Sequence, residues 1–83
     1  MFKITFTKEA QKQYNKLPNK VKPRIARSIA ALSMNPFSGK KLEGELNVLR
    51  SQRAWPYRII YQVNVSKKLI EINDILHRQG AYK

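Results

Sequence analysis

Arginine is the residue type in this sequence that is best suited to carry a reaction. Arg53, Arg58 and Arg78 lie in the C-terminal half, with His77 directly before Arg78. His77 is the only histidine and cysteine is absent, so no cluster has the spacing of metal ligands. The sequence also lacks a Ser-His-Asp set and a phosphate-cradling glycine loop. These residue types support a metal-free, charge-driven cleavage of a phosphodiester, and we expect no metal and no cofactor.

Arg58 is predicted to hold the phosphate that reacts. A guanidinium group binds two phosphate oxygens through paired hydrogen bonds. Cleavage of a phosphodiester by a hydroxyl group needs a base that removes the hydroxyl proton, an acid that protonates the leaving oxygen, and positive charge that stabilises the phosphorane. The alternative is that Arg58 is a surface arginine of a strand, paired with Glu71 or Asp74.

His77 is a candidate general acid, because histidine is the side chain that ordinarily exchanges protons near neutral pH. A lone histidine after a strand is also often structural, and the sequence leaves both interpretations open.

Four further residues are candidates for binding nucleic acid, which the resemblance given below narrows to RNA. Arg53 lies five residues before Arg58, across the turn at Trp55, so we expect it close to Arg58 on the neighbouring strand. There it can share the phosphate or bind the flanking backbone. Arg50 and Lys41 are expected to add positive charge along a groove. Trp55 either stacks on a base or packs at the edge of its turn.

The charge of the whole chain points to a polyanionic partner. Seventeen lysines and arginines face five acids, which gives a net charge of +12 in 83 residues. No acid occurs between Glu9 and Glu43. A folded domain with such an excess repels itself, and the usual compensation is binding to nucleic acid or to an acidic protein. Solubility alone is the weaker explanation.

Length and composition favour a single domain over residues 1–83. No apolar run approaches membrane-spanning length, and residues 1–4 lead into a strand pattern instead of a signal peptide. The absence of cysteine fits a reducing compartment. We therefore expect a cytoplasmic protein without a membrane partner.

Hydrophobic periodicity predicts the order β-α-α-β-β-β. Thr7 can cap the first helix, Leu17 and Pro18 end it, and the second helix begins as late as Lys22 and ends before Pro36. The predicted strands are 2–6, 48–55, a run around 59–63, and 69–76, with 37–46 as a loop.

This order is typical of an α+β fold in which a helical hairpin packs on one face of a small, mostly antiparallel four-stranded sheet. The other face stays partly open. Ile59 and Tyr61 alternate with Arg58, so if those two belong to the core, Arg58 faces the open side.

Taken together, the motifs resemble the RelE toxins, the messenger-RNA-cleaving branch of the RelE/ParE superfamily. The resemblance covers nearly the whole chain in the right order. It rests on Lys16-Leu17-Pro18, Asn35-Pro36, Lys41-Leu42-Glu43-Gly44, Tyr57-Arg58-Ile59-Ile60-Tyr61-Gln62-Val63, His77-Arg78 and Tyr82.

The resemblance implies a type II toxin that cleaves messenger RNA on the ribosome, inhibits translation, and is silenced by a cognate antitoxin with an acidic or amphipathic segment. It makes Arg78 a second phosphate-binding residue, and Tyr82 a residue that stacks on a base or takes part in proton transfer. The alternatives are that Arg78 is a solvated residue of a frayed tail and that Tyr82 only packs. Leu49 and Ser51 stand where some members carry lysines, so the general base is left unassigned.

Two alternatives remain at this point. The sister ParE group shares the fold and poisons DNA gyrase. The chain can also be a binding module for RNA or the ribosome without catalytic activity, or a decayed toxin. Loss of growth inhibition with Arg58→Ala would separate cleavage from the gyrase alternative.

Overall fold

A computed structural model describes residues 1–42 and 48–78. These residues form two helices and five strands, so the predicted α+β class is confirmed. In chain order the elements are β1 (Lys3–Phe6), α1 (Lys8–Asn15), α2 (Lys22–Met34), β2 (Lys40–Lys41), β3 (Arg50–Ala54), β4 (Tyr57–Asn64) and β5 (Leu69–His77).

The predicted strand count was wrong by one, because the loop expected over 37–46 contains β2. The sheet order is β1-β5-β4-β3-β2. Only β1 and β5 pair in parallel, and every other pair is antiparallel. A two-residue strand leaves no periodic signal in a sequence. The position of β2 follows from its pairing with β3. Leu42 extends this pairing, because its N–H donates to the carbonyl of Leu49 at 3.0 Å.

The helix boundaries follow the predicted local signals. The hydroxyl of Thr7 accepts a hydrogen bond from the N–H of Ala10 at 3.1 Å, which satisfies a donor in the first turn of α1. Pro23 lies in the first turn of α2, where its missing N–H is not needed. Helix α2 ends at Met34, directly before Asn35 and Pro36.

Both helices contribute to one core with the central strands. Its buried members from the helical layer include Ala10, Ile25, Ile29 and Leu32, and those from the sheet include Ile59, Tyr61, Ile70 and Ile72. Ile59 and Tyr61 are fully buried. Because strand residues alternate between faces, the prediction that Arg58 lies on the face away from this core is confirmed.

Tyr61 ties the segment before β2 to the core. Its buried hydroxyl donates to the carbonyl of Pro36 at 2.8 Å and accepts from the N–H of Gly39 at 3.0 Å. Burial raises the pKa of the Tyr61 phenol, while the Gly39 hydrogen bond and the charge of Arg50 oppose the rise. A Cβ at position 39 would lie 2.5 Å from the same hydroxyl oxygen, so only glycine fits there. These contacts fix where β2 begins.

Gln13 of α1 covers the edge of β5 beyond the end of β1. Its side-chain oxygen accepts the N–H of Ile75 at 2.6 Å, and its amide donates to Asp74 at 3.2 Å. The contact with Ile75 satisfies a backbone N–H that would otherwise lie at an open sheet edge. Within the described residues, neither helix is long and apolar enough to cross a membrane.

Candidate nucleic-acid interface

Two arginines face each other across the open side of the sheet. Strands β3 and β4 are antiparallel, and Arg53 lies directly opposite Arg58. Directly opposed residues project to the same face, here the face away from Ile59 and Tyr61. Like charges in this arrangement cost stability. A phosphate bound between the two side chains would accept hydrogen bonds from both guanidinium groups.

Ser51 lies beside this arginine pair, two residues before Arg53 on β3. It is buried, and its hydroxyl accepts a hydrogen bond from Nη1 of Arg58 at 3.5 Å. Lys40 of β2 lies opposite Ser51 in the register, so its side chain starts from the same face. Lys40 is a residue that sequence reasoning missed, because only the pairing of the two-residue strand brings it beside the arginines.

These residues line an open groove of about 720 Å³. We call it the basic groove, and its described lining residues are Ser38, Lys40, Lys41, Leu42, Ser51, Gln52, Arg53 and Arg58. No carboxylate is among them. The groove therefore presents guanidinium and ammonium groups together with hydroxyl and amide groups, a lining suited to phosphate oxygens.

Trp55 connects Arg78 to the arginine pair. The guanidinium carbons of Arg53 and Arg78 lie 5.4 Å and 5.1 Å from the centre of the indole ring. The N–H of Arg78 also donates to the carbonyl of Pro56 at 2.8 Å. The end of β5 is thus fastened to the β3–β4 turn, and the structure brings Arg58, Arg53 and Arg78 to one end of the sheet.

The structure does not bring His77 to the face of Arg58. His77 lies opposite Tyr57 in the register, one position beyond the pair of Arg58 with Leu76. Alternation therefore places it on the face of the helices. Its ring meets Tyr57 edge to face, with 5.1 Å between the ring centres. This contact favours the structural interpretation of His77 over the general-acid one.

Arg50 also lies on the helix side, opposite Tyr61. Its Nη1 donates to the carbonyl of Gly39 at 2.8 Å and to that of Phe37 at 3.4 Å, and its guanidinium carbon lies 4.9 Å from the centre of the Phe37 ring. Arg50 thus binds the segment that leads into β2. Lys41, its neighbour across the strand pair, is exposed and lines the basic groove.

The predicted role of Tyr82 falls outside residues 1–42 and 48–78 and stays a prediction. Among the residues with described positions, no three histidines, cysteines or acids lie together in a way that could hold a metal ion. The chemistry offered by the described site is electrostatic, namely binding of a phosphodiester and stabilisation of charge that develops on it.

Comparison with known structures defines the class of protein. The toxin–antitoxin complex RelBE2 of Mycobacterium tuberculosis contains a chain that is 28% identical, with a TM-score of 0.86, over 93% of this chain and 98% of that one. The RelE–RelB complex of Pyrococcus horikoshii OT3 gives 29% identity and a TM-score of 0.79, over 96% and 98% of the two chains. The isolated RelE toxin of E. coli, 21% identical with a TM-score of 0.78 over 93% and 84%, has the same fold.

Sequence comparison gives the family. The family described as "ParE toxin of type II toxin-antitoxin system, parDE" matches residues 4–82. Toxin RelE of Mycobacterium tuberculosis (strain ATCC 25618 / H37Rv) is 27% identical over 84 residues, covering 99% of this chain and 87% of that protein. The chain therefore belongs to the RelE/ParE family and is a toxin of a type II toxin–antitoxin system.

Proposed function

We propose that this toxin is a metal-independent endoribonuclease that cleaves messenger RNA on the ribosome and so inhibits translation. The observation that carries the proposal is the pair of arginines, Arg53 and Arg58, that lie opposite each other in the strand register on the open face of the sheet. These two arginines line the basic groove together with Lys40 and Lys41. Guanidinium and ammonium groups bind phosphate oxygens through charge-assisted hydrogen bonds, so the groove suits a phosphodiester.

In the proposed reaction, the 2′-oxygen forms a bond to phosphorus while the bond from phosphorus to the 5′-oxygen breaks. Arg58, with Arg53 beside it, binds the phosphate and stabilises the phosphorane charge. The proton of the 2′-hydroxyl passes to a base, and the 5′-oxygen gains a proton as it leaves. By resemblance, Arg78 is the second phosphate-binding residue and Tyr82 takes part in proton transfer or stacks on a base.

The same face is the proposed binding surface of a cognate antitoxin. The similar solved structures include toxin–antitoxin complexes named RelBE2 and RelE–RelB. An acidic or amphipathic antitoxin segment that covers Arg58 and Arg78 would neutralise the basic groove and exclude RNA. A purified complex that cleaves RNA as fast as the free toxin would contradict this model.

The test of the proposed activity is controlled expression of the chain, with protein synthesis and transcript ends measured together. We expect translation to stop and primer extension to show cuts within translated codons. Arg58→Ala should lower cleavage by at least about tenfold, because a transition-state charge loses its partner. Arg24→Ala, an exposed arginine of α2, is the matched control and should keep full activity. Intact transcripts during growth arrest would contradict the proposal.

Poisoning of DNA gyrase is the second candidate, and the description of the matching family as ParE toxin favours it. It predicts that Arg58→Ala and Arg78→Ala leave growth inhibition intact and that a DNA-damage response appears. The cleavage proposal predicts loss of inhibition with Arg58→Ala and no damage response. Measuring both readouts in the same cultures separates the two functions.

A further inference from the structure

Trp55 is a large aromatic side chain that the core does not use. It is the only tryptophan of the chain, and 53% of its surface is exposed at the turn between β3 and β4. It is not among the buried or partly buried residues of the core. An indole ring left this exposed gains little from folding, because hydrophobic stabilisation follows the apolar area removed from water.

Among residues 1–42 and 48–78, two charged groups lie over the ring. The guanidinium groups of Arg53 and Arg78 lie against it at 5.4 Å and 5.1 Å, while about half of its surface stays open to solvent. The hydrogen bond from the N–H of Arg78 to the carbonyl of Pro56 holds this end of β5 against the turn. The ring thus has open aromatic surface for a base, and the guanidinium groups of Arg53 and Arg78 beside it can bind the phosphates of the same nucleotide strand.

We infer that Trp55 is a stacking platform for one unpaired base of the RNA, with Arg53 and Arg78 binding the phosphates that flank this base. Arg53 also faces Arg58, so the stacked base lies next to the phosphate held in the basic groove. The inference rests on the proposed function only in taking RNA as the ligand.

A consequence for the substrate follows. The bases of a duplex are stacked on both sides, so a base can lie on Trp55 only where the RNA is single-stranded. Since every base has a π-face, the platform selects for an unpaired nucleotide and tolerates different sequences. The substrate class at this position is therefore single-stranded RNA of loosely restricted sequence.

The test uses the full-length toxin and a short single-stranded RNA with 2′-O-methyl groups, which binds but lacks the attacking hydroxyl. Because Trp55 is the only tryptophan, its fluorescence reports on this ring alone. We expect quenching on binding. By anisotropy of the labelled RNA, Trp55→Leu should weaken binding about tenfold, and Trp55→Phe, which keeps an aromatic face, should weaken it less. Thermal melting of the three proteins checks that each is folded.

Inorganic polyphosphate and polyglutamate serve as probes that carry charge without bases. Quenching equal to that of RNA by either probe would overturn the inference, and so would equal RNA affinity of the wild type and Trp55→Leu. A toxin that shows the expected quenching and cuts no RNA would overturn the proposed cleavage and leave the platform standing. If Trp55→Leu cleaves RNA and binds it with the affinity of the wild type, the stacking platform is overturned and the proposed cleavage is not.

Discussion

Tyr61 is the residue that links the core to the basic groove. Its ring is fully buried, and its hydroxyl pairs with the carbonyl of Pro36 and the N–H of Gly39. The register places this hydroxyl on the helix side of the sheet, as expected for a core residue, and its role is structural.

We expect Tyr61→Phe to lower the free energy of unfolding by about 1–3 kcal/mol at neutral pH, because two buried backbone groups lose their partner. The difference between the proteins should shrink in alkaline solution. Burial raises the pKa of the folded phenol above its unfolded value, so its stabilising effect is complete below the unfolded pKa. This stabilisation is lost as the pH rises through the pKa of the phenol in the folded protein.

Urea denaturation of both proteins from pH 7 to pH 11 provides the measurement. Tyr14→Phe is the control, since Tyr14 is only partly buried and makes a longer hydrogen bond to the carbonyl of Lys22, at 3.4 Å. A gap between the wild type and Tyr61→Phe that stays constant or widens above pH 10 would contradict the assignment.

At the scale of elements, local signals in the sequence predicted most of the fold. Thr7, Pro18, Pro23 and Pro36 act on their own neighbours, so the helix limits could be inferred without knowing the packing. Strand β2 could not, because its two residues are placed by the contacts of Tyr61 with the preceding segment. Because β2 was not predicted, Lys40 was not included in the predicted site.

The face of His77 was the other feature that the sequence left open. A predicted strand ending at Leu76 puts His77 beyond the sheet, where alternation no longer fixes its direction. In the structure β5 continues to His77, and pairing with Tyr57 sets its face. Arg53 and Arg58 were predictable neighbours because a tight turn at Trp55 joins their strands, and the turn fixes the register.

Strand β2 should depend on Gly39. We expect Gly39→Ala to cost about 1–3 kcal/mol of unfolding free energy, because the new methyl group would collide with the ring of Tyr61 in a filled core. Displacement of the segment that leads into β2 should also weaken the hydrogen bond between the N–H of Leu42 and the carbonyl of Leu49. Hydrogen exchange at the amide of Leu42 measures this directly. Lys20→Ala, an exposed residue between the two helices, should leave that exchange rate near the wild-type value.

At the scale of the whole molecule, positive charge is spread far beyond the groove. Helices α1 and α2 carry exposed cations such as Lys12 and Arg24 in a protein of net charge +12. General attraction to RNA would therefore exist wherever the site lay. What distinguishes a binding site is the number of cations that actually contact phosphates, and this number sets how steeply affinity falls with salt.

Two variants with the same loss of charge separate these effects. We expect Arg53→Gln with Arg58→Gln to reduce the slope of log affinity against log salt for single-stranded RNA by about 1.4, since each lost phosphate contact contributes about 0.7. Lys12→Gln with Arg24→Gln should change the slope by much less. Both variants lower the net charge by two, so the general attraction of the protein to RNA falls alike in both. Equal slopes in the two double variants would place the RNA elsewhere than on the open face of the sheet.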